Sequence, residues 1–215
     1  MKVLVLHSGG MDSTVCLLMA KKAGHEVLSL GIEYGQRHSV EMLYAKNQCD
    51  KYQVDRKVVS VSWDKPQRET PLDRNPTQMP KSISSAFLPG RNLLFLALAG
   101  AEAAGIGANE IWTGINCVDY SGYPDCTREF LESFKKTWGI AAPGSPSIVA
   151  PLLEMGKPEI AKKAFELGLD IYSTWSCYRP QIHSSGVTTC GRCDACVLHD
   201  FAWKEVKSHS IDGQR

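Results

Sequence analysis

Seven consecutive residues near the start of the chain have the side chains and the backbone freedom that a phosphate site needs. They follow the apolar run 3–7 and read Ser8-Gly9-Gly10-Met11-Asp12-Ser13-Thr14. Two glycines allow a sharp turn and a close approach of the backbone to an anion. The amides that open the next helix would point at that anion, with the positive end of the helix dipole behind them. The three hydroxyl groups add further donors.

Asp12 indicates what kind of phosphate site this is. A carboxylate beside a phosphate is favourable when Mg²⁺ bridges the two groups. The G-x-x-x-x-G-K-[ST] spacing of the common P-loop is absent, because no lysine follows the glycines. A helix cap is the alternative, but a cap accounts for one serine or one aspartate and not for the whole string. The motif therefore predicts a phosphate site that uses Mg²⁺.

Alternating apolar runs and helical patterns place this loop in an α/β fold. Strands are predicted over 3–7, 27–32, 57–61 and 111–114, and helices over 12–23, 39–52, 91–105, 127–138 and 157–167. The β-α-β-α-β order at the start favours a doubly wound, mostly parallel sheet. Residues 64–89 are polar and carry five prolines, which is typical of a lid or a binding segment. Residues 139–147 are expected to form a loop, and the pattern beyond Trp175 is irregular.

Composition excludes several classes of protein. Lysine plus arginine number 24 against 23 acidic residues, a net charge of +1, so the basic excess of a protein that grips nucleic-acid backbone is missing. No apolar run approaches the roughly 18 residues of a membrane span, and no signal-peptide core follows Met1. We expect a cytoplasmic protein with no membrane contact and no direct nucleic-acid binding.

Four of the eight cysteines form a C-x12-C-x2-C-x2-C array, made of Cys177, Cys190, Cys193 and Cys196. Four thiolates in a short segment suit tetrahedral zinc, and four protein ligands leave no open position, so the zinc would be structural. A ferredoxin-type iron–sulfur run would need a cysteine and a proline where Asp200 and Phe201 stand. Four buried cysteines without a metal are the remaining alternative.

The array also suggests how the chain is divided. Residues 1–174 are expected to form the domain that carries the phosphate loop, and residues 175–200 a zinc-binding segment packed on it. Residues 201–215 are expected to form a C-terminal tail.

The phosphate motif resembles the SGGxDS loop of the PP-loop ATP pyrophosphatase superfamily. Members hold the β- and γ-phosphates of ATP in that loop while an oxygen nucleophile attacks the α-phosphorus and pyrophosphate leaves. The resemblance implies an adenine nucleotide alpha hydrolase-like fold. It also implies that ATP is bound by His7, Ser8, Gly9, Gly10, Met11, Asp12, Ser13 and Thr14.

Five motifs together resemble the 7-cyano-7-deazaguanine synthase family over nearly the whole chain. Besides the phosphate loop and the cysteine array, they are Pro-Gly-Arg-Asn at 89–92, Asp-Tyr-Ser-Gly-Tyr-Pro-Asp-Cys at 119–126 and Thr-Trp-Ser-Cys-Tyr at 174–178. The resemblance implies a ligase that forms carbon–nitrogen bonds. Such an enzyme converts 7-carboxy-7-deazaguanine, ammonia and ATP into 7-cyano-7-deazaguanine (preQ0) in queuosine biosynthesis. The intermediates are an adenylated carboxylate and an amide.

Residue roles follow at the matching positions. Asp12, Ser13, Arg91 and Lys157 would be the catalytic residues, and Asp119, Tyr120, Tyr123 and Asp125 the substrate-binding residues. Arg91 could instead be a surface arginine and Lys157 a solvated lysine, and the substrate segment could be an ordinary turn. Residues 34–38 also resemble the family, with His38 as either a structural or a functional residue.

Small departures keep other functions open. Thr127 and Arg128 follow Cys126 where the family commonly has arginine and proline, and residues 178–189 are unusual. One alternative is a related enzyme that adenylates a different acceptor, such as a DNA base, a tRNA or a protein. The other is a zinc-dependent interaction module that binds ATP without turnover. A homodimer with a small-molecule substrate and ammonia is the expected assembly.

Overall fold

The computed structural model describes residues 1–35, 40–62, 71–77, 83, 85–118 and 122–212. In chain order its main elements are β1 (Lys2–Leu6), α1 (Met11–Lys22), β2 (Glu26–Glu33), α2 (Val40–Tyr52), β3 (Asp55–Ser60), α3 (Arg91–Gly105), β4 (Glu110–Trp112), α4 (Arg128–Ala141), β5 (Ser147–Val149), α5 (Lys157–Glu166), β6 (Gln181–His183), β7 (Gly186–Thr188) and α6 (Asp194–Asp212). Each predicted strand and helix is present, with ends shifted by at most three residues.

Five strands form one parallel sheet in the order β3-β2-β1-β4-β5. The chain runs outward from β1 to β3 and then returns to the other side of β1 with β4. The strand order therefore reverses between β1 and β4. In open α/β sheets, ligands bind at the carboxyl ends of the strands at such a point. The predicted doubly wound parallel sheet is confirmed, and it places the phosphate loop after β1 at this crevice.

Helices cover both faces of the sheet, so there is a hydrophobic core on each face. Successive side chains of β1 point into one core and then the other. Val3 and Val5 pack in a cluster with α1, α5 and α6, whereas Leu4 packs in a cluster with α3 and α4. All three side chains are fully buried. A strand buried on both faces has to be apolar at every position, which is why residues 3–5 carry no polar side chain.

Two elements differ from the sequence expectations. β5 begins at the last residue of the expected loop 139–147. Its three residues are too few to show the side-chain alternation that predicts a strand. Beyond Trp175 the expectation of irregular structure is wrong, because α6 is a 19-residue helix. Its buried Leu198, Ala202 and Val206 repeat every four residues. That helical spacing was present in the sequence but was obscured by the cysteines among which the helix begins.

The helix α6 packs Ala202, Trp203 and Val206 into the cluster that contains α1 and α5. It runs past residue 200, where the predicted zinc-binding segment would end, so one helix joins that segment to the predicted tail. The division into 1–174, 175–200 and 201–215 itself stays a prediction. Among the described helices, none combines the length and the apolar character needed to cross a bilayer.

Part of the long polar segment is attached to the cysteine region. Leu72 forms an antiparallel bridge with Cys193, and the Asp73 amide donates to the Arg192 carbonyl at 2.8 Å. The Arg192 guanidinium binds the Asp73 carboxylate through two nitrogens. Residues 71–77 are therefore positioned by the cysteine segment.

Candidate active site

Gly9 shapes the phosphate loop for two separate reasons. Its φ of +91° is a backbone conformation that other residues rarely adopt. A Cβ at this position would also lie 2.5 Å from the Glu41 carbonyl oxygen and 2.7 Å from the Ala45 nitrogen, both on α2. The loop is thus pressed against α2, and only glycine fits there.

The helix α1 begins without a side-chain cap. Its N-cap is Gly10, and no side chain accepts a hydrogen bond there. The first amides of a helix need an acceptor from outside the helix, and a phosphate can supply it. Gly10 therefore provides no side-chain cap, which was the alternative to phosphate binding for this motif.

The serines at the two ends of the loop hold it closed. The Ser8 amide donates to Ser13 Oγ at 3.2 Å, and the two hydroxyl oxygens are also 3.2 Å apart. Ser13 Oγ donates to the Gly10 carbonyl at 3.1 Å, and Thr14 Oγ1 donates to the same carbonyl at 2.7 Å. These hydroxyl groups give the loop its shape.

Behind the loop lies a buried polar network centred on Gln48 of α2. Gln48 Nε2 donates to the carbonyl oxygens of Gly9, at 3.1 Å, and Ser173, at 2.5 Å. Its Oε1 lies 2.8 Å from His7 Nε2 and 3.0 Å from Thr14 Oγ1. One side chain, 2% exposed, therefore joins the end of β1, the phosphate loop and the segment before Cys177. Sequence reasoning missed it, because an isolated glutamine on a helix carries no motif.

The network fixes the tautomer of His7. Because both Nε2 protons of Gln48 go to carbonyl groups, Oε1 is the atom that faces His7, and His7 Nε2 is the donor. Nδ1 then accepts from the Ser29 hydroxyl at 3.0 Å, while Ser29 Oγ accepts from Arg56 at 2.7 Å. Burial, together with the charge of Arg56, lowers the pKa of His7 from 6.5 to about 3, although the bond to Gln48 opposes this shift. His7, predicted to bind ATP, has a neutral ring buried behind the loop.

This arrangement predicts an acid-sensitive stability. Above pH 6.5 the His7 ring is neutral in the folded and the unfolded chain. Between pH 6.5 and about 3 only the unfolded chain takes up the proton, so the free energy of unfolding should fall with acidification by about 1 kcal/mol per pH unit. Urea unfolding between pH 7 and 5 measures this slope. It should be smaller in His7→Gln and retained in His183→Gln, a change in an exposed hairpin. His199, whose pKa burial also lowers, adds a slope of the same sign in all three proteins. An equal slope in wild type and His7→Gln would contradict the account.

Asp12 lies in the first turn of α1 and is held by two side chains from other elements. Lys157 Nζ lies 2.5 Å from Asp12 Oδ2, and Asn116 Nδ2 donates to the same oxygen at 3.2 Å. Lys157 is the first residue of α5, where the helix dipole disfavours a cation. Its pairing with Asp12 compensates for that position. The structure thus brings together two predicted catalytic residues and adds Asn116, which the sequence analysis missed.

Arg91 opens α3 and lies among aromatic hydroxyl groups. It is hydrogen-bonded to Tyr34. Burial lowers the pKa of the guanidinium, while Tyr34, Tyr178, Tyr123 and Cys126 raise it, and the net direction is upward. Arg91 therefore stays charged in a half-buried position. Arg91 and Tyr123 are thus neighbours, as a shared substrate site requires.

Asp125 and Tyr123 are both buried, at 6% and 9% exposure. Asp125 Oδ2 accepts from the Asn92 amide at 3.1 Å, so it caps α3, whose own N-cap is Gly90. The Tyr123 ring packs on Phe87 with centroids 5.3 Å apart. Asp119 and Tyr120, as well as His38, lie outside the described residues, and their roles stay predictions.

The four cysteines of the array come together at one point. Their Sγ atoms all lie within 4.8 Å of one another, and tetrahedral zinc with bonds of about 2.3 Å would place them roughly 4 Å apart. The amides of Cys190 and Cys193 point at Cys177 Sγ and Cys190 Sγ, each at 3.3 Å. Such donors stabilise metal-bound thiolates, so the residues fit a metal ion.

The cysteine cluster is connected to the phosphate loop through Trp175. The Trp175 amide donates to the Gly9 carbonyl at 3.0 Å. Its indole Nε1 donates to the Cys177 carbonyl at 3.1 Å. The same Gly9 carbonyl accepts from Gln48. Trp175 therefore links the backbone of the cysteine cluster directly to the backbone of the phosphate loop.

Comparison with known proteins decides the family. The family model described as "Queuosine biosynthesis protein QueC" matches residues 2–207. The chain belongs to the QueC family. The resemblance inferred from five sequence motifs is thereby confirmed.

Two curated relatives of this QueC-family chain are named as 7-cyano-7-deazaguanine synthases and align over nearly their whole length. One, "7-cyano-7-deazaguanine synthase 2" of Rhodopseudomonas palustris (strain HaA2), is 59% identical over 96% of this chain and 98% of that protein. Another, "7-cyano-7-deazaguanine synthase" of Myxococcus xanthus (strain DK1622), is 39% identical over 95% and 94% of the two chains.

A solved structure supports the fold. The "U34-tRNA thiolase NcsA from Methanococcus maripaludis with its [4Fe-4S] cluster" has a TM-score of 0.53 at 15% identity. The alignment covers 97% of this chain and 67% of that chain. At this identity the likeness concerns the fold alone, and it agrees with the predicted adenine nucleotide alpha hydrolase-like class.

Proposed function

We propose that this chain is a cytoplasmic ligase that converts 7-carboxy-7-deazaguanine, ammonia and ATP into 7-cyano-7-deazaguanine. The observation that carries the proposal is the 59% identity, over 96% of this chain, to a protein named for this activity. The phosphate loop supports it, because Asp12 is held in place by Lys157 and Asn116. A module that only binds ATP would not need this arrangement.

In the proposed reaction, residues 8–14 hold ATP against the amides of α1, and the buried His7 ring supports the loop from behind through Gln48. A carboxylate oxygen of the acid attacks the α-phosphorus, and pyrophosphate leaves with the electrons of the broken P–O bond. Donors at the start of α1 stabilise the charge on the leaving group. Asp12 would hold Mg²⁺, which neutralises phosphate charge when bound. Its carboxylate is 23% exposed, so it can exchange partners when Mg²⁺ and ATP arrive.

The adenylated acid then reacts with ammonia. The new C–N bond forms as the C–O bond to AMP breaks, giving an amide. A second ATP activates the amide oxygen in the same loop, and loss of AMP leaves the nitrile. Lys157 and Arg91 are proposed to bind phosphate or the substrate carboxylate. Both are cations held at helix starts that face this crevice.

Asp119, Tyr120, Tyr123 and Asp125 are proposed to bind the deazaguanine ring. The buried Tyr123 offers an aromatic face, and Asp125 Oδ1 offers an acceptor for the ring N–H donors, since Oδ2 caps α3 and the contact of Oδ1 with the Cys126 thiol is long, at 3.9 Å. The proximity of Tyr123 to Arg91 supports a shared site.

Asp125→Ala is expected to raise the KM for the acid at least about tenfold more than the KM for ATP, since a ring donor loses its acceptor. Because Asp125 also caps α3, the melting temperature should fall as well. Asp125→Asn keeps an oxygen for the Asn92 amide and serves as the stability control. Equal changes in both KM values would show that Asp125 acts only through the fold.

The metal and the assembly belong to the same proposal. The cysteine cluster would hold one structural Zn²⁺, given four sulfur ligands and no open position. We further propose a homodimer that acts on small molecules, without binding nucleic acid directly or contacting a membrane.

Pyrophosphate release tests the function. It should require both ATP and the acid, and added tRNA, DNA or protein should not replace the acid. Release that depends on one of those macromolecules and not on the acid would contradict the substrate while leaving adenylation intact.

A further inference from the structure

The Asn116 carboxamide, beside Asp12, is hydrogen-bonded at only one of its two ends. Asn116 is 4% exposed, and its Nδ2 donates to Asp12 Oδ2 at 3.2 Å. Within the part of the chain that the structure describes, Asn116 Oδ1 has no donor. An unsatisfied buried carbonyl destabilises the folded state, so stability alone does not account for an asparagine at this position.

The orientation of this amide is determined by its neighbour. The Asp12 carboxylate is paired with the Lys157 ammonium and can only accept hydrogen bonds. The nitrogen of Asn116 must therefore face Asp12, which leaves Oδ1 at the other end of the planar amide.

The backbone around Asn116 has little freedom to change this. A Cβ on Gly114 would lie 3.0 Å from the Ser13 nitrogen and 3.2 Å from Asp12 Cβ, so the segment is packed against the start of α1. The Cys117 amide donates to the Leu153 carbonyl at 2.8 Å. The chain before and after Asn116 is thus fixed, and Asn116 Oδ1 is held beside the phosphate loop.

Asn116 also lies close to where the activated carboxyl group would form. It follows β4 at the carboxyl edge of the sheet and contacts Asp12 of the phosphate loop. The nitrogen nucleophile has to reach the carboxyl group that is activated at this loop.

We propose that Asn116 Oδ1 binds the nitrogen nucleophile, accepting a hydrogen bond from ammonia and then from the amide nitrogen. The inference rests on the proposed function. Ammonia has three N–H donors and one lone pair, so an acceptor on one side directs the lone pair to the other side. A neutral carbonyl does not hold the proton that would convert ammonia into ammonium, which has no lone pair.

The same contact serves both steps that involve this nitrogen. In the first, the nitrogen lone pair forms the C–N bond, and the C–O bond to AMP breaks with its electrons going to AMP. One nitrogen proton passes to water. In the second, the adenylated amide loses AMP, and the two remaining protons pass to water as the C≡N bond forms. Asn116 orients the nitrogen throughout and exchanges no proton.

Two kinetic measurements on Asn116→Leu test this role. Acid-dependent exchange between pyrophosphate and ATP, without ammonium, reports adenylation. Nitrile formation with varied ammonium reports nitrogen binding. Loss of one hydrogen bond should raise the KM for ammonium at least about tenfold, while the KM for ATP in the exchange reaction changes by no more than about threefold. If the leucine prevents folding, Asn116→Ala should show the same large rise in the KM for ammonium and the same small change in the KM for ATP. Asn47→Leu, on the exposed side of α2, is the matched control and should leave both values at wild-type level.

An unaltered KM for ammonium in a folded Asn116 variant would overturn the inference. So would an equal loss of exchange and nitrile formation, because Asn116 would then act through Asp12. A wrong proposed function would give a different result from a wrong role for Asn116. In that case the wild-type protein itself would show no acid-dependent exchange.

Discussion

Asp12→Asn is expected to lower acid-dependent pyrophosphate release at least about a hundredfold, because a carboxylate that faces the phosphates contributes several kcal/mol to a charged transition state. An asparagine has the same shape and can still accept from Lys157. It loses the negative charge that would hold Mg²⁺. The effect should therefore appear in turnover and in the Mg²⁺ dependence, with a change of only a few degrees in the melting temperature.

Asp50→Asn is the matched control. Asp50 is also a helix aspartate paired with a lysine, Lys46, at 2.6 Å, but it is exposed on α2. Its substitution should leave activity intact. An Asp12→Asn protein with near-normal turnover would mean that the phosphate loop has been assigned wrongly.

Cys193→Ser should have the second large effect. Cys193 is fully buried in the cysteine cluster, and loss of one thiolate leaves an incomplete tetrahedron. We expect the bound zinc to be lost and the free energy of unfolding to fall by at least about 3 kcal/mol. Because Trp175 connects this cluster to the Gly9 carbonyl, the KM for ATP should rise as well. Elemental analysis, urea unfolding and ATP titration measure the three effects.

Cys117→Ser provides the comparison, since that thiol is exposed and outside the cluster. It should keep one zinc per chain and wild-type stability. Iron in the freshly purified wild-type protein, or no metal at all, would contradict the zinc proposal.

The features that the sequence could indicate are those carried by neighbours along the chain. Ser8 to Ser13 stand in one string after a buried strand, which predicts a phosphate loop, and Cys190, Cys193 and Cys196 stand in another, whose sulfur atoms the structure brings together with Cys177. The alternation of apolar runs and helical patterns predicted the doubly wound parallel sheet, whereas the order of its strands was not predicted.

Residues that act through contacts distant in the chain could not be found in this way. Gln48 reaches Gly9 and Ser173 across 39 and 125 positions, and Asn116 reaches Asp12 across 104. Neither contact leaves a local pattern. His7 was placed in the ATP site because it adjoins the loop, whereas its ring turns inward to Gln48 and Ser29. That direction depends on the packing of α2 against the sheet.

The most direct test of the whole account is the mass of the product. The protein is incubated with 7-carboxy-7-deazaguanine, ATP, Mg²⁺ and ammonium, and the deazaguanine species are followed by mass spectrometry. The account predicts that the acid loses two oxygen atoms and gains one nitrogen, that an amide appears first, and that AMP and pyrophosphate form with each step. If neither amide nor nitrile forms while another acceptor triggers pyrophosphate release, the chain is an adenylating enzyme of different substrate, and the central claim is wrong.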